Sequence, residues 1–186
     1  MPKGSAVLAN MRMGPGLPGN VPDDCHEKIR QIVEYWVSIH PPHPPGGLPG
    51  RQHFDPMQIP SLLPYIRLLD VVGSLPRFRV RLLGTQVREY MGEEQTGRWL
   101  DEVFPNLHGS VTHAELVKAV AMKMPRWRKG KPAIALDRIF LQMERAYLPF
   151  ARDGRKVDML LTFHLVTEGE GALPSRPSPE PDPDRR

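Results

Sequence analysis

The residues of this chain best equipped for chemistry are one thiol, scattered histidines, a basic segment and three charges set among apolar neighbours. Cys25 is the single cysteine, which excludes an internal disulfide and a zinc site built on several thiolates and fits a reducing compartment. His40 and His43 flank Pro41 and Pro42 with no carboxylate beside them, a pattern of linker histidines rather than metal ligands, so no metal site is expected. Lys123, Arg126, Arg128, Lys129 and Lys131 surround Trp127. As a basic loop this segment could meet phosphate and a base, or an acidic protein surface; the plainer reading is a solvated loop with Trp127 folded onto a sheet edge. Asp70, Arg81 and Glu144 are polar exceptions on apolar strands. If buried they must be paired, through a structural ion pair or a ligand, and pairing within the protein is favoured. There is no Gly-x-Ser-x-Gly elbow, Walker loop or kinase signature, so no catalytic residue is expected.

Composition bounds what can position these groups. The 186 residues suit one domain with flanking segments, and 40% apolar residues suffice for a core. Twenty-two prolines, far above background, mean that part of the chain stays unpacked. A net charge of +4 is too small to point to nucleic acid, and no apolar run approaches a membrane span. A cytoplasmic protein is expected. Residues 1–22, with four Pro and four Gly, read as a disordered leader, and 168–186 as a disordered Pro-rich tail. Residues 41–47 read as a Pro/Gly linker between an N-terminal helix at 23–40 and a domain at 48–167.

Periodicity supplies the elements. Ile29, Ile32, Val33, Trp36 and Val37 form one helical stripe, which Asp23 or Asp24 can cap. Asp55-Pro56 opens a short helical segment that Pro64 closes. Residues 65–72 form an apolar run interrupted by Arg67 and Asp70, and 77–83 alternate strictly; the turn at 73–76 makes them a hairpin. A short helix follows Thr85 and ends at Gly92, and a longer one spans 110–124 with Thr112 and Glu115 as a capping box and Val117, Val120, Ala121 and Met124 as its stripe. Strands return at 133–137, 140–150 and 157–166, the last two joined by Asp153-Gly154. In the final strand Val157, Met159, Leu161, Phe163 and Leu165 form an apolar face expected to meet the core. Leu160 and Val166, with Leu141, Met143 and Tyr147 of the preceding strand, form an outer face that needs a cover.

Two strands, short helices and three strands define an α+β protein, a five-stranded antiparallel sheet with helices on one face and an N-terminal amphipathic helix. That order resembles a PAS domain. The resemblance extends to a bacterial family of short stand-alone PAS-like proteins through Leu48-Pro49-Gly50-Arg51, Asp55-Pro56, Ile59-Pro60, Leu63-Pro64, Leu69-Asp70-Val71, the run 79–85, Thr96-Gly97-Arg98, and 144–149 with Asp153-Gly154. It covers about residues 48–165.

The resemblance implies a sensory or interaction module of bacterial signalling, with a cleft between sheet and helices and frequent homodimerisation. It names no cofactor. A flavin–thiol adduct needs a cysteine in the helical middle, whereas Cys25 lies upstream. Haem needs an axial ligand, for which His113 stands nearest the position used in haem-binding relatives, with His108 second. The cleft is expected to be lined by Tyr90, Met91, Trp99, Phe104, Val117 and Val120 from the helices and by Phe78, Val80, Met159, Leu161 and Phe163 from the sheet. The expected dimer contact joins Ile29, Ile32, Val33, Trp36 and Val37 to Leu141, Met143, Tyr147 and Leu160, a cover within one chain being the alternative. Three functions follow: a signalling module acting by protein contact and a small ligand, a scaffold with a filled core, or a haem sensor using His113. Nucleic acid and membrane are not expected partners.

Overall fold

The apolar stripe of the N-terminal segment folds as helix α1 (Glu27–Ser38), because only a helix places Ile29, Ile32, Val33 and Trp36 on one side. All four are completely buried, each removal from water contributing about 1.5–3 kcal/mol. The cap is His26 rather than Asp23 or Asp24: its ring accepts from the Lys28 N–H at 3.1 Å. The computed structural model describes residues 16–41, 47–132 and 142–167. The expected strand at 133–137, the centre of the Pro/Gly linker, the tail and Leu141 lie outside the described residues.

The remaining elements are β1 (Ile66–Val72), β2 (Arg77–Leu83), α2 (Thr85–Met91), α3 (Leu100–Val103), α4 (Val111–Met122), β3 (Arg126–Gly130), β4 (Gln142–Phe150) and β5 (Met159–Thr167). The strands form one antiparallel sheet in the order β2-β1-β5-β4-β3. Asp55 caps its 3-10 turn by accepting from the Met57 N–H. Gly84 is required where β2 leaves the sheet, since a Cβ there would collide with the carbonyl oxygens of Leu63 and Pro64. Gly92, at φ 78, ends α2 in the left-handed conformation.

Several local expectations shift. The basic segment is not a loop; it is β3, paired in register with β4 from Arg126 opposite Tyr147 to Gly130 opposite Met143. Ser110, not Thr112, caps α4 by accepting from the His113 N–H. Thr112 and Glu115 therefore sit inside the helix, and with Leu116 and Ala119 they form its buried face. Val117 and Val120 are left half-buried on its shoulder. Residues 16–22, expected within the leader, pack along β3: the Asn20 amide exchanges two hydrogen bonds with the Trp127 backbone, at 3.0 and 2.6 Å, and Val21 is buried. This closes an exposed strand edge.

Strand parity decides which residues meet which layer. Phe78 lies 6.2 Å from the His113 ring of α4, and Met143 packs against Tyr90 of α2. Through the register, the face bearing Arg67, Leu69, Val71, Phe78, Val80, Leu160, Thr162, His164, Met143, Arg145 and Tyr147 is the one beneath the middle helices. The opposite face bears Ile66, Leu68, Met159, Leu161, Phe163, Leu165, Glu144, Ala146 and Leu148, and α1 covers its β4–β5 half.

Candidate functional site

The expected cleft residues divide between the two faces. Phe78 and Val80 point under the helices as expected, and with Leu69, Leu100, Phe104, Leu107 and Leu116 they are buried in one apolar cluster. Met159, Leu161 and Phe163 do not. Paired with Asp70, Leu68 and Ile66, they lie on the α1 side, where the Phe163 ring stands 5.6 Å from that of Tyr65. Trp99 is bridged to Arg79 at the outer edge of β2 and stacks beneath the Arg77 guanidinium at 4.1 Å, so it walls the sheet edge rather than the space between sheet and helices. His113 sits between the Phe78 and His108 rings, and burial together with His108 lowers its pKa.

The expected dimer set is corrected for the same reason. Met143, Tyr147 and Leu160 are buried on the helix-facing side, not beneath α1. Ile29, Ile32, Val33 and Trp36 are sealed against their own sheet, with the Trp36 indole N–H donating to the Pro149 carbonyl at 2.8 Å. Val37 is half-buried beside them. One chain supplies its own cover.

The three expected polar exceptions are each paired within the protein. Asp70 is held by Arg81 at 2.6 Å and Arg79 at 3.2 Å. Glu144 accepts the His26 backbone N–H at 3.0 Å and the Trp127 indole at 3.4 Å, and pairs with Lys129 at 3.0 Å. Burial alone would raise its pKa, but these donors hold it below the usual value. The charges of β3 are largely committed in this way: Lys129 goes to Glu144, and Arg126 goes to Glu115 at 2.8 Å, which Lys118 also holds.

What lies beneath α2 is a polar group that sequence reasoning missed. Arg67, Thr162, Tyr147 and Arg126 form one row across β1, β5, β4 and β3, and His164, Arg145 and Arg128 form the next. Arg67, Tyr147 and Thr162 are 0% exposed, and Arg145 3%. Arg67 Nε donates to Thr162 Oγ1 at 3.4 Å, and Thr162 Oγ1 lies 2.9 Å from His164 Nε2. Arg145 Nη2 donates to the carbonyls of Gly130 and Lys131 at 2.8 and 3.0 Å.

Much of this group is unsatisfied. Both terminal nitrogens of Arg67, Arg145 Nε, Tyr147 Oη and His164 Nδ1 have no hydrogen-bond partner among the described residues. Among the described residues no carboxylate forms an ion pair with either arginine, and Glu115, whose charge reaches Tyr147, is already held by Lys118 and Arg126. Burial pulls the Arg67 pKa down to about 10, opposed by Tyr147. Burial also drives the His164 pKa well below its usual value and raises that of Tyr147. Buried polar groups without partners are rare in native proteins. The available signal was Arg67 inside an apolar run.

A separate apolar concavity of about 370 Å³ lies outside the sheet, lined by Phe54, Pro56, Leu63, Ile66 and Leu82 with Arg51 at its side. Among the described residues no group of three or more His, Cys, Asp or Glu is arranged to hold a metal ion, and no helix is long and apolar enough to cross a membrane.

The five-stranded antiparallel sheet, its middle helices on one face and α1 on the other define a PAS-type α+β domain. The chain matches the family model described as PAS domain over residues 25–163, and it belongs to that family. The match begins at Cys25 and includes α1. No curated protein matches the chain.

Proposed function

We propose that this chain is a cytoplasmic, non-catalytic sensory and interaction module of bacterial signal transduction. Its input is a small ligand held between the sheet and α2, and its output passes through protein contacts of the sheet and α1. The observation that carries this reading is Arg67: a fully buried guanidinium with both terminal nitrogens unpartnered among the described residues, facing the helix layer. Leaving such a group unpaired costs several kcal/mol, and a ligand seen by the helices and strands together offsets that cost in one conformer more than another.

A second reading, a scaffold without ligand, is favoured by the apolar half of the hollow, where Phe78, Val80, Leu100 and Leu116 are all 2% exposed or less. Native mass spectrometry of gently purified protein separates the two. A retained small molecule supports the sensor; bare chain mass, with no small molecule altering stability, supports the scaffold. An absorption spectrum of the same sample tests the haem reading at His113. Homodimerisation is part of the proposal, with the solvent side of α1 as the contact in place of its buried stripe.

A further inference from the structure

We infer that the group formed by Arg67 and Arg145 is a receptor for a small organic anion bearing a carboxylate. This rests on the hollow being the ligand site and adds the ligand's chemical class.

The first reason is the donor inventory. The two terminal nitrogens of Arg67 and the Nε of Arg145 can only donate. Tyr147 Oη donates readily, and His164 Nδ1 does so in one tautomer. A neutral apolar ligand would leave all five atoms unpaired.

Charge gives the second. Neither arginine has an ion-pair partner among the described residues, and the acceptors of Arg145 are uncharged carbonyls. Arg126 and Arg128 project from the same face of β3, and Glu115, whose charge reaches Tyr147, is shared by Arg126 and Lys118. Arg67 stays charged at neutral pH even with its pKa drawn down to about 10. Among the described residues the positive charge of the two arginines therefore meets no carboxylate in a buried setting, where a counter-ion gains far more than at the surface.

The third reason is placement. Arg67 and Arg145 stand on β1 and β4, either side of β5, with Thr162 and His164 between them. Two strand spacings across the sheet and a two-residue step along it put their backbones about 12 Å apart, a gap two long side chains can close over one small group. A planar carboxylate matches the guanidinium fork in two parallel hydrogen bonds. The depth of burial restricts the ligand to a small molecule.

The test uses thermal unfolding of the full chain in sodium acetate, succinate, phosphate or chloride at matched ionic strength, alongside native mass spectrometry. Acetate or succinate is expected to raise Tm above the chloride value by about 5 °C at saturation, and the gain is expected to disappear in Arg67→Met and shrink in Arg67→Lys. If Arg67→Met does not fold, Arg145→Gln takes its place, with Arg51→Met as a control that keeps the gain. The inference is overturned if neither carboxylate exceeds chloride, if Arg67→Met keeps the full gain, or if phosphate acts and the carboxylates do not. A retained neutral molecule with no carboxylate response overturns the anion class while leaving the sensory reading in place. Bare mass with no response to any anion overturns both.

Discussion

Glu144 and Arg145 are consecutive residues of β4 that serve opposite faces of the sheet. The Glu144 carboxylate holds the backbone at the start of α1 through the His26 N–H, while the Arg145 guanidinium lies beneath α2 beside His164. A change on the helix-facing side of this strand is therefore one peptide unit from the anchor of α1. This is a short mechanical path between the proposed input and output.

Removing that anchor is expected to loosen α1. Glu144→Ala should lower unfolding free energy by about 2–4 kcal/mol, because three donors lose a buried acceptor. Lys129→Met should cost under about 1 kcal/mol, since that ammonium is largely exposed. Urea unfolding curves of both variants check the ordering.

In ligand-free protein, Arg67→Met should leave stability unchanged or raise it by about 1–3 kcal/mol, because it removes an unpaired buried charge and keeps an apolar stem of similar length. A loss above about 2 kcal/mol in the same urea experiment would show that the guanidinium is structural.

Acid should weaken the fold before the carboxylates titrate. His164 is held neutral by burial and by Arg67 and Arg145, so its folded pKa lies well below 6.5. Below about pH 6.5 the unfolded chain binds a proton that the folded chain refuses, and stability falls as pH drops toward the folded value. His40 and His113, also lowered, add to this slope. Glu115 and Glu144, whose pKa values lie below 4.5, contribute their losses only at lower pH. His164→Gln should flatten the dependence between pH 6.5 and 5 in unfolding experiments.

Trp36→Phe should cost about 2–3 kcal/mol through lost volume and the lost hydrogen bond to Pro149. Molar mass by light scattering should not change, because the indole is spent within its own chain. A change in mass would return the α1 stripe to a dimer interface.

Gly84→Ala should be among the most damaging small substitutions, at about 2 kcal/mol or more, since the added methyl meets backbone oxygens that cannot move aside. Gly97→Ala, at φ +85 with open space around it, should cost about 1 kcal/mol of backbone strain. Midpoints of thermal unfolding for the two variants test the difference.

Period-2 alternation in β2, the helical stripe of α1 and the turn residues at Gly73, Gly92 and Gly154 were enough to read the α+β class and the positions of β1, β2, β4 and β5 from sequence, because each is a local preference with a short physical range; β3, read as a basic loop, was not found this way. The faces of β4 and β5 were not readable in this way. Both strands are buried on both sides, so the alternation at Thr162 and His164, which elsewhere marks a solvent face, here marks a buried polar face and does not tell which layer covers it. Tertiary pairing of β5 with β1, across nearly the whole domain, turned Phe163 toward Tyr65 and α1 and turned Tyr147 under the helices. The same pairing gathered Arg67, Thr162, His164 and Arg145, which are scattered along the chain, into one buried group. Only long-range register determines which charges share a face.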